Sequence, residues 1–214
     1  DLAVGAKTAD PATDTGEVWI LFMKTDGTVK SFQRITEGVG GFSGDLDAAD
    51  FFGVSLTNLG DLDGDGVQDI VVGARGTGGQ NFIGAIWVLL MNSDGTIKSE
   101  QKIPGPGSGF SGALATRDRF GSSVAGIGDL DDDGLTNLDE YRLNSLPNNS
   151  DTDGDSLTDY QEHHEYQTSL TNPDSDNDKM TDGWEVNFAL DPLDSADAES
   201  DLDNDSFTNL IEFL

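Results

Sequence analysis

The sequence predicts a mainly β fold of repeated sheets, followed by a loop-rich tail that cations staple and that carries short helical turns. Three observations support this: an internal repeat of 68 residues, apolar runs of strand length between glycine-rich turns, and five acidic loops of one fixed spacing. The repeat dominates residues 1–128 and four of the loops fall in 129–214, which sets the expected domain division.

Sliding the chain by 68 residues places DLAVGA (1–6) on DIVVGA (69–74) and GEVWILFMKTDGTVKS (16–31) on GAIWVLLMNSDGTIKS (84–99). The register continues through GGFSG (40–44) on SGFSG (108–112), FFGVS (51–55) on RFGSS (119–123) and GDLDGDG (60–66) on GDLDDDG (128–134). A period held without slippage marks a structural unit. Within one unit Gly84–Met91 is a dense apolar run of the buried-strand kind, and Ser93-Asp94-Gly95 is a turn signal that reverses the chain into Ile97–Ile103. Gly53–Leu59 and Ile70-Val71-Val72 supply two more strands joined by an acidic loop, and Phe120–Ile127 is expected to repeat the first of them. Four strands per repeat, punctuated by glycine, describe one blade of a β-propeller or of a related repeat sheet.

Each acidic loop has Asp at positions 1, 3 and 5 and Asp or Asn at position 9. The sets are Asp61, Asp63, Asp65, Asp69; Asp129, Asp131, Asp133, Asn137; Asp151, Asp153, Asp155, Asp159; Asp174, Asp176, Asp178, Asp182; and Asp201, Asp203, Asp205, Asn209. The last four loops add Glu at position 12: Glu140, Glu162, Glu185 and Glu212. Alternate carboxylates in a tight loop converge and repel one another unless a hard cation joins them. Ca²⁺ takes about six to eight oxygen ligands, with a backbone carbonyl from position 7 and a bidentate Glu from position 12. The position-7 residues are Val67, Leu135, Leu157, Met180 and Phe207. One ion per loop gives about five Ca²⁺.

Charge narrows the class of partner. The chain has 41 acidic against 11 basic residues and a formal charge of −30, and residues 129–214 hold 25 of the acids and 2 of the bases. Nucleic acid, which requires a basic face, is excluded as a partner. A solvated, disordered acidic tail would not keep Asp in phase with apolar Leu157, Met180 and Phe207. Cysteine is absent, so neither disulfides nor thiol catalysis are available and metal does the stapling. No signal peptide, membrane-spanning run or lipidation signal is present, and the chain opens inside a motif, as a piece of something longer would. Loops of this kind in extracellular modules bind Ca²⁺ at about 10⁻⁴–10⁻³ M, which points to secretion or surface display without membrane insertion.

Phe52-Gly53, Gly60-Asp61-Leu62-Asp63-Gly64-Asp65-Gly66 and Asp69-Ile70-Val71-Val72-Gly73-Ala74 together resemble the FG-GAP repeat of integrin α-type β-propellers. Phe120-Gly121 with Gly128–Gly134 repeats the opening of that signature, and Asp1–Ala6 repeats its ending. The resemblance implies blades whose first hairpin loop holds Ca²⁺ in surface and adhesion proteins. The chain has one whole blade and two partial ones, an incomplete ring.

At Asp129 the architecture changes. The earlier loop runs into a strand, but this one runs into Leu138-Asp139-Glu140-Tyr141-Arg142, a helix-like segment. A blade thus passes into the tail through one shared Ca²⁺ loop. Tail loops begin at 129, 151, 174 and 201, too closely for paired EF-hands, and position 8 is Thr136, Thr158, Thr181 or Thr208 where EF-hand loops carry an apolar residue. The tail resembles the thrombospondin type 3 repeats of bacterial surface proteins, in which Asp loops and single helical turns wind around a line of calcium ions. Asn172-Pro173 and Asp191-Pro192 fit that pattern. Position 6 is Gly134 once but Ser156, Lys179 and Ser206 elsewhere, where a left-handed backbone costs about 1 kcal/mol. Folding free energy of the tail is expected to come largely from metal, over small clusters of Tyr141, Tyr160, Tyr166, Trp184, Val186, Phe188, Phe207, Leu210, Ile211 and Phe213.

No nucleophile elbow or Ser/His/Asp order is present, and Gly41-Phe42-Ser43-Gly44 and Gly109-Phe110-Ser111-Gly112 are loops between blades. His163-His164 is an exposed helix surface. Asn148-Asn149-Ser150 is a glycosylation sequon of low specificity. The expected function is non-enzymatic: an extracellular, calcium-rigidified structural or adhesive protein of bacterial type that builds a fibre or matrix and takes a cell-surface or matrix ligand. A spacer region of a secreted carbohydrate-active enzyme and a ligand-binding propeller are the alternatives. Residues 1–35 supply strands two to four of a blade and residues 119–128 a first strand alone, so the missing strands come either from upstream blades of the same natural chain or from other copies by strand complementation.

Overall fold

The computed structural model describes the chain except residues 10, 11, 78–81, 106 and 204. Two compact units divide it, Asp1–Gly126 and Ile127–Leu214.

The first unit contains two antiparallel sheets. One is ordered β1 (Leu2–Ala6), β2 (Glu17–Met23), β3 (Val29–Ile35), and the other β4 (Leu56–Gly60), β5 (Asp69–Ala74), β6 (Ala85–Met91), β7 (Ile97–Ile103). The 68-residue repeat persists in the structure: β1, β2 and β3 match the positions of β5, β6 and β7. The bulge between Phe22 and Met23 recurs between Leu90 and Met91. Each hairpin closes on the same turn, in which Asp26 or Asp94 accepts the N–H and hydroxyl of the Thr two residues on.

β5 is buried along its whole length, whereas β6 alternates, with Ala85, Trp87, Leu89 and Met91 on the more enclosed face. Trp87, Leu89 and Met91 join Val18, Ile35, Phe52, Ile70 and Val72 in one core spanning both sheets. Burying each large side chain contributes about 1.5–3 kcal/mol. The Phe-Gly dipeptides lock this core. Phe52 bridges Gly16, and Phe120 bridges Gly84 in the same way. The carbonyl of Gly53 lies where a Cβ on Gly5 would stand, and the carbonyl of Gly121 where one on Gly73 would stand. Only a bare backbone permits that approach.

Two expectations change here. Phe42 is no mere loop residue: it is 1% exposed, stacks on Phe52 at 5.0 Å and meets Trp87 edge-on at 4.9 Å. The expected strand Phe120–Ile127 does not form; beyond the Phe120 bridge the segment pairs with no strand, and Gly126 donates its N–H to Thr57 Oγ1. The reason is local. β4 pairs with β5, which follows its own acidic loop, but the loop after Ile127 leads into a helix, so residues 124–127 lack the returning partner.

The second unit carries α1 (Asn137–Leu143), α2 (Asp159–Gln161, continued as a π turn over Glu162–Tyr166), α3 (Asp182–Asn187), a 3₁₀ turn (Asp197–Glu199) and α4 (Asn209–Phe213). Every helix starts directly after the position-8 threonine, whose extended backbone makes it the N-cap. Thr181 and Thr208 hold this place without a side-chain cap bond, whereas the other two cap with their hydroxyls. Thr136 accepts the N–H of Asp139, and Thr158 forms a full capping box with Gln161. The tail's core also differs from expectation. Leu135, Leu157, Leu170, Met180 and Ala198 are buried, while Tyr141, Phe188, Phe207 and Ile211 are exposed. Position 7 of the first three tail loops therefore fills the interior that the aromatics were expected to fill. Trp184 packs against Phe188 and Phe213.

Candidate metal centres

The five loops share one internal scaffold. At position 1 the two carboxylate oxygens accept loop N–H groups: Asp61 from Asp65 and Gly66, Asp129 from Asp132 and Gly134, Asp151 from Gly154 and Ser156, Asp174 from Asn177 and Lys179, Asp201 from Asp205 and Ser206. One oxygen of position 5 accepts the N–H of position 7 in every loop. Position 6 is left-handed throughout, with φ of +87° at Gly66, +108° at Gly134, +87° at Ser156, +86° at Lys179 and +83° at Ser206. The three non-glycine residues accept the strain expected of them.

Position 9 closes the loop. Asp69, Asp159, Asp182 and Asn209 are buried and Asn137 is half-buried, and each side chain accepts the N–H of position 2. The second oxygens of Asp159 and Asp182 take the hydroxyls of Thr152 and Ser175, and the first oxygen of Asp69 takes the N–H of Met91. This staple shares the residue type of a ligand, so sequence spacing does not separate the two roles.

What remains after these bonds points inward. Both carboxylate oxygens of Glu140 and of Glu185, and Oε2 of Glu162, are buried without a hydrogen-bond partner, and the three residues are 0% exposed. Both oxygens of Asp131 and of Asp153, and Oδ2 of Asp176 and of Asp178, are in the same condition. An ionised carboxylate stripped of water and partners is strongly disfavoured. Desolvation first, then neighbouring carboxylates, push Glu140 up to about 7, Glu162 and Glu185 to about 8, and Asp153 and Asp176 to about 6. One carboxylate oxygen from each of Asp129, Asp131 and Asp133 can meet within 4.8 Å, and the same holds for Asp151, Asp153, Asp155 and for Asp174, Asp176, Asp178. An all-oxygen, anionic and partly enclosed donor set suits a hard divalent cation.

The loops are also joined in series. Asp133 Oδ2 accepts the N–H of Tyr160 at 3.1 Å, and Asp155 Oδ2 accepts that of Gly183 at 2.7 Å. In both cases position 5 of one loop receives the N–H at position 10 of the next.

The outer loops differ. In the β unit Asp61, Asp63 and Asp69 gather within 4.8 Å, but the ammonium of Lys98 sits 2.7 Å from both Asp63 Oδ2 and Asp65 Oδ2. Hydrogen bonds to these two carboxylates hold Lys98 above its usual range, and that to Lys98 holds Asp65 below its own. In the last loop Asp203, Asp205 and Glu212 are exposed. His163 and His164 are exposed, with Tyr160 stacked on His164.

This β unit is a repeat sheet with an acidic hairpin loop at residues 61–69, and residues 52–89 match the FG-GAP repeat. Three relatives are integrin α chains. Integrin alpha pat-2 of Caenorhabditis briggsae is 36% identical over 136 residues, 62% of this chain and 10% of that protein. Integrin alpha-PS5 of Drosophila melanogaster is 36% identical over 91 residues (42% and 8%), and integrin alpha-3 of Cricetulus griseus 36% over 88 residues (41% and 8%). The chain spans about a tenth or less of these relatives. No helix among the described residues is long and apolar enough to cross a membrane.

Proposed function

We propose that this chain is a non-enzymatic, extracellular calcium-binding module of an adhesive or structural protein, whose tail becomes rigid when calcium binds. The observation that supports this most directly is the row of buried, partnerless carboxylates at Glu140, Glu162 and Glu185, each facing an acidic loop. Positions 3, 5 and 12, with the position-7 carbonyl, hold the ion. Position 1 shapes the loop and offers an oxygen, and position 9 closes it. When bound, Ca²⁺ supplies the positive charge that lets these side chains stay ionised while buried. Exposed loops outside the cell then respond to millimolar calcium, and the short helices, too short to persist alone, follow the loops. The thrombospondin type 3-like pattern of the tail and a bacterial surface origin belong to this proposal.

Calcium titration of the full chain, followed by calorimetry and far-UV circular dichroism, tests it. At least four ions bind, and chelation removes helical signal and leaves residues 129–214 more open to protease than the β unit. Unchanged helicity and protease resistance in excess chelator would refute the reading. The FG-GAP match and the integrin α relatives favour a ligand-binding propeller as the second reading, in which this chain contributes blades to a larger ring.

A further inference from the structure

The third tail loop departs from its neighbours in one respect. Position 5 gives Oδ2 to the next loop's N–H at Asp133 and Asp155, but Asp178 Oδ2 is buried with no partner. The interval to the next loop is longer here, and the added residues include the 3₁₀ turn Asp197–Glu199. Asp197 Oδ1 is also buried and partnerless. Single oxygens of Asp178, Glu185 and Asp197 lie within 4.8 Å of one another, and Glu185 is 0% exposed with both oxygens unpaired. Three partly enclosed carboxylates brought that close repel unless a cation lies among them.

We propose that Asp197, a residue outside the acidic-loop motif, is a ligand of the divalent cation held by the third loop. This rests on the calcium-binding reading above and adds an extra anionic donor to one site. It also gives the ion a second duty. Asp197 is fixed from both sides, its Oδ2 accepting the N–H of Asp191 at 3.0 Å and its carbonyl accepting Asn209 Nδ2 at 2.8 Å. Asn209 is position 9 of the fourth loop, so the cation connects the third loop to the fourth where the direct backbone bond of the earlier loops is replaced. A donor of this kind is invisible to a spacing motif, because it is supplied 12 residues after Glu185.

Calcium titration of the full chain by competition with a chromophoric chelator separates the outcomes. Asp197→Asn keeps the shape and one acceptor oxygen, Glu185→Gln marks the third site, and Asp194→Asn removes a neighbouring charge whose Oδ1 serves only Ala196. The expected result is that D197N and E185Q weaken the same single site by about tenfold or more while D194N leaves every site unchanged. If D197N leaves all affinities within about twofold while E185Q still removes one site, Asp197 is no ligand and the calcium reading stands. Equal weakening by D197N and D194N assigns the effect to general charge and also overturns the proposal. A wild-type chain that binds no calcium overturns the functional reading itself. Circular dichroism at saturating calcium controls for folding, since D197N should reach the wild-type helical signal once every site is filled.

Discussion

The N–H of Gly183 reaches Asp155 Oδ2 across 28 residues, and the space where its Cβ would stand is taken by the Asp155 carbonyl. Two effects of Gly183→Ala therefore oppose each other. Alanine favours the helix that begins at Asp182 by about 1 kcal/mol. The added methyl forces the second and third loops apart, at about 1–3 kcal/mol. The packing effect wins, so the calcium-loaded tail melts at lower temperature and loses affinity at both loops. A raised melting temperature would show that the two loops do not depend on this contact.

The raised carboxylates give a sign to the pH response of the metal-free chain. Glu162 and Glu185 stand near 8 when folded against an ordinary 4.5, so the native tail binds more protons than the unfolded chain. Their contribution is greatest below about pH 4.5 and is lost as pH rises toward 8. In calcium-depleted buffer the tail should unfold at higher urea at pH 5 than at pH 8, and saturating calcium should reverse the order. Greater metal-free stability at pH 8 would contradict the burial of these groups.

Lys98 occupies the outer face of the β-unit loop through Asp63 and Asp65, and it competes with any cation there. Exposed pairs of this kind are weak, because water screens them. Lys98→Met should accordingly raise calcium affinity at residues 61–69 by about threefold to fivefold, read from the amide shifts of Gly64 and Gly66. An unchanged or weaker affinity would mean that Lys98 supports the loop instead of blocking it.

Among the described residues β1 pairs with β2 alone, and Leu2 and Val4 on it are exposed. Residues 124–127 belong to no strand, and Ile127 is exposed as well. An open edge and an unpaired segment of matching repeat position predict pairing between copies. Light scattering in millimolar calcium should show mass rising with concentration, and Val124→Pro should abolish it. A constant monomer with intact β signal would exclude strand exchange.

The sequence made some of this legible and hid the rest for identifiable reasons. Strand positions followed from the repeat because local apolar runs and turns determine them, and the loop phases followed because the bonds that build each loop join residues close in sequence. The failure at Phe120–Ile127 came from copying a strand whose partner the second copy lacks. Thr136 and Thr158 looked like departures from an EF-hand, yet they are helix caps, a role that depends on where the helix begins. Asp159 and Asp182 carry the chemistry of a ligand, and their oxygens also accept bonds from Thr152 and Ser175, a second role that spacing does not show. Lys98 and Asp197 reach their loops from distant sequence, beyond any fixed spacing.

The bonds from Asp133 to Tyr160 and from Asp155 to Gly183 make each loop answer to its neighbour alone. Such an array behaves as a one-dimensional lattice, in which ordering spreads by nearest-neighbour steps. Lengthening it would sharpen the calcium threshold without altering any single site, so the number of repeats, more than their individual affinity, would set how abruptly the tail stiffens.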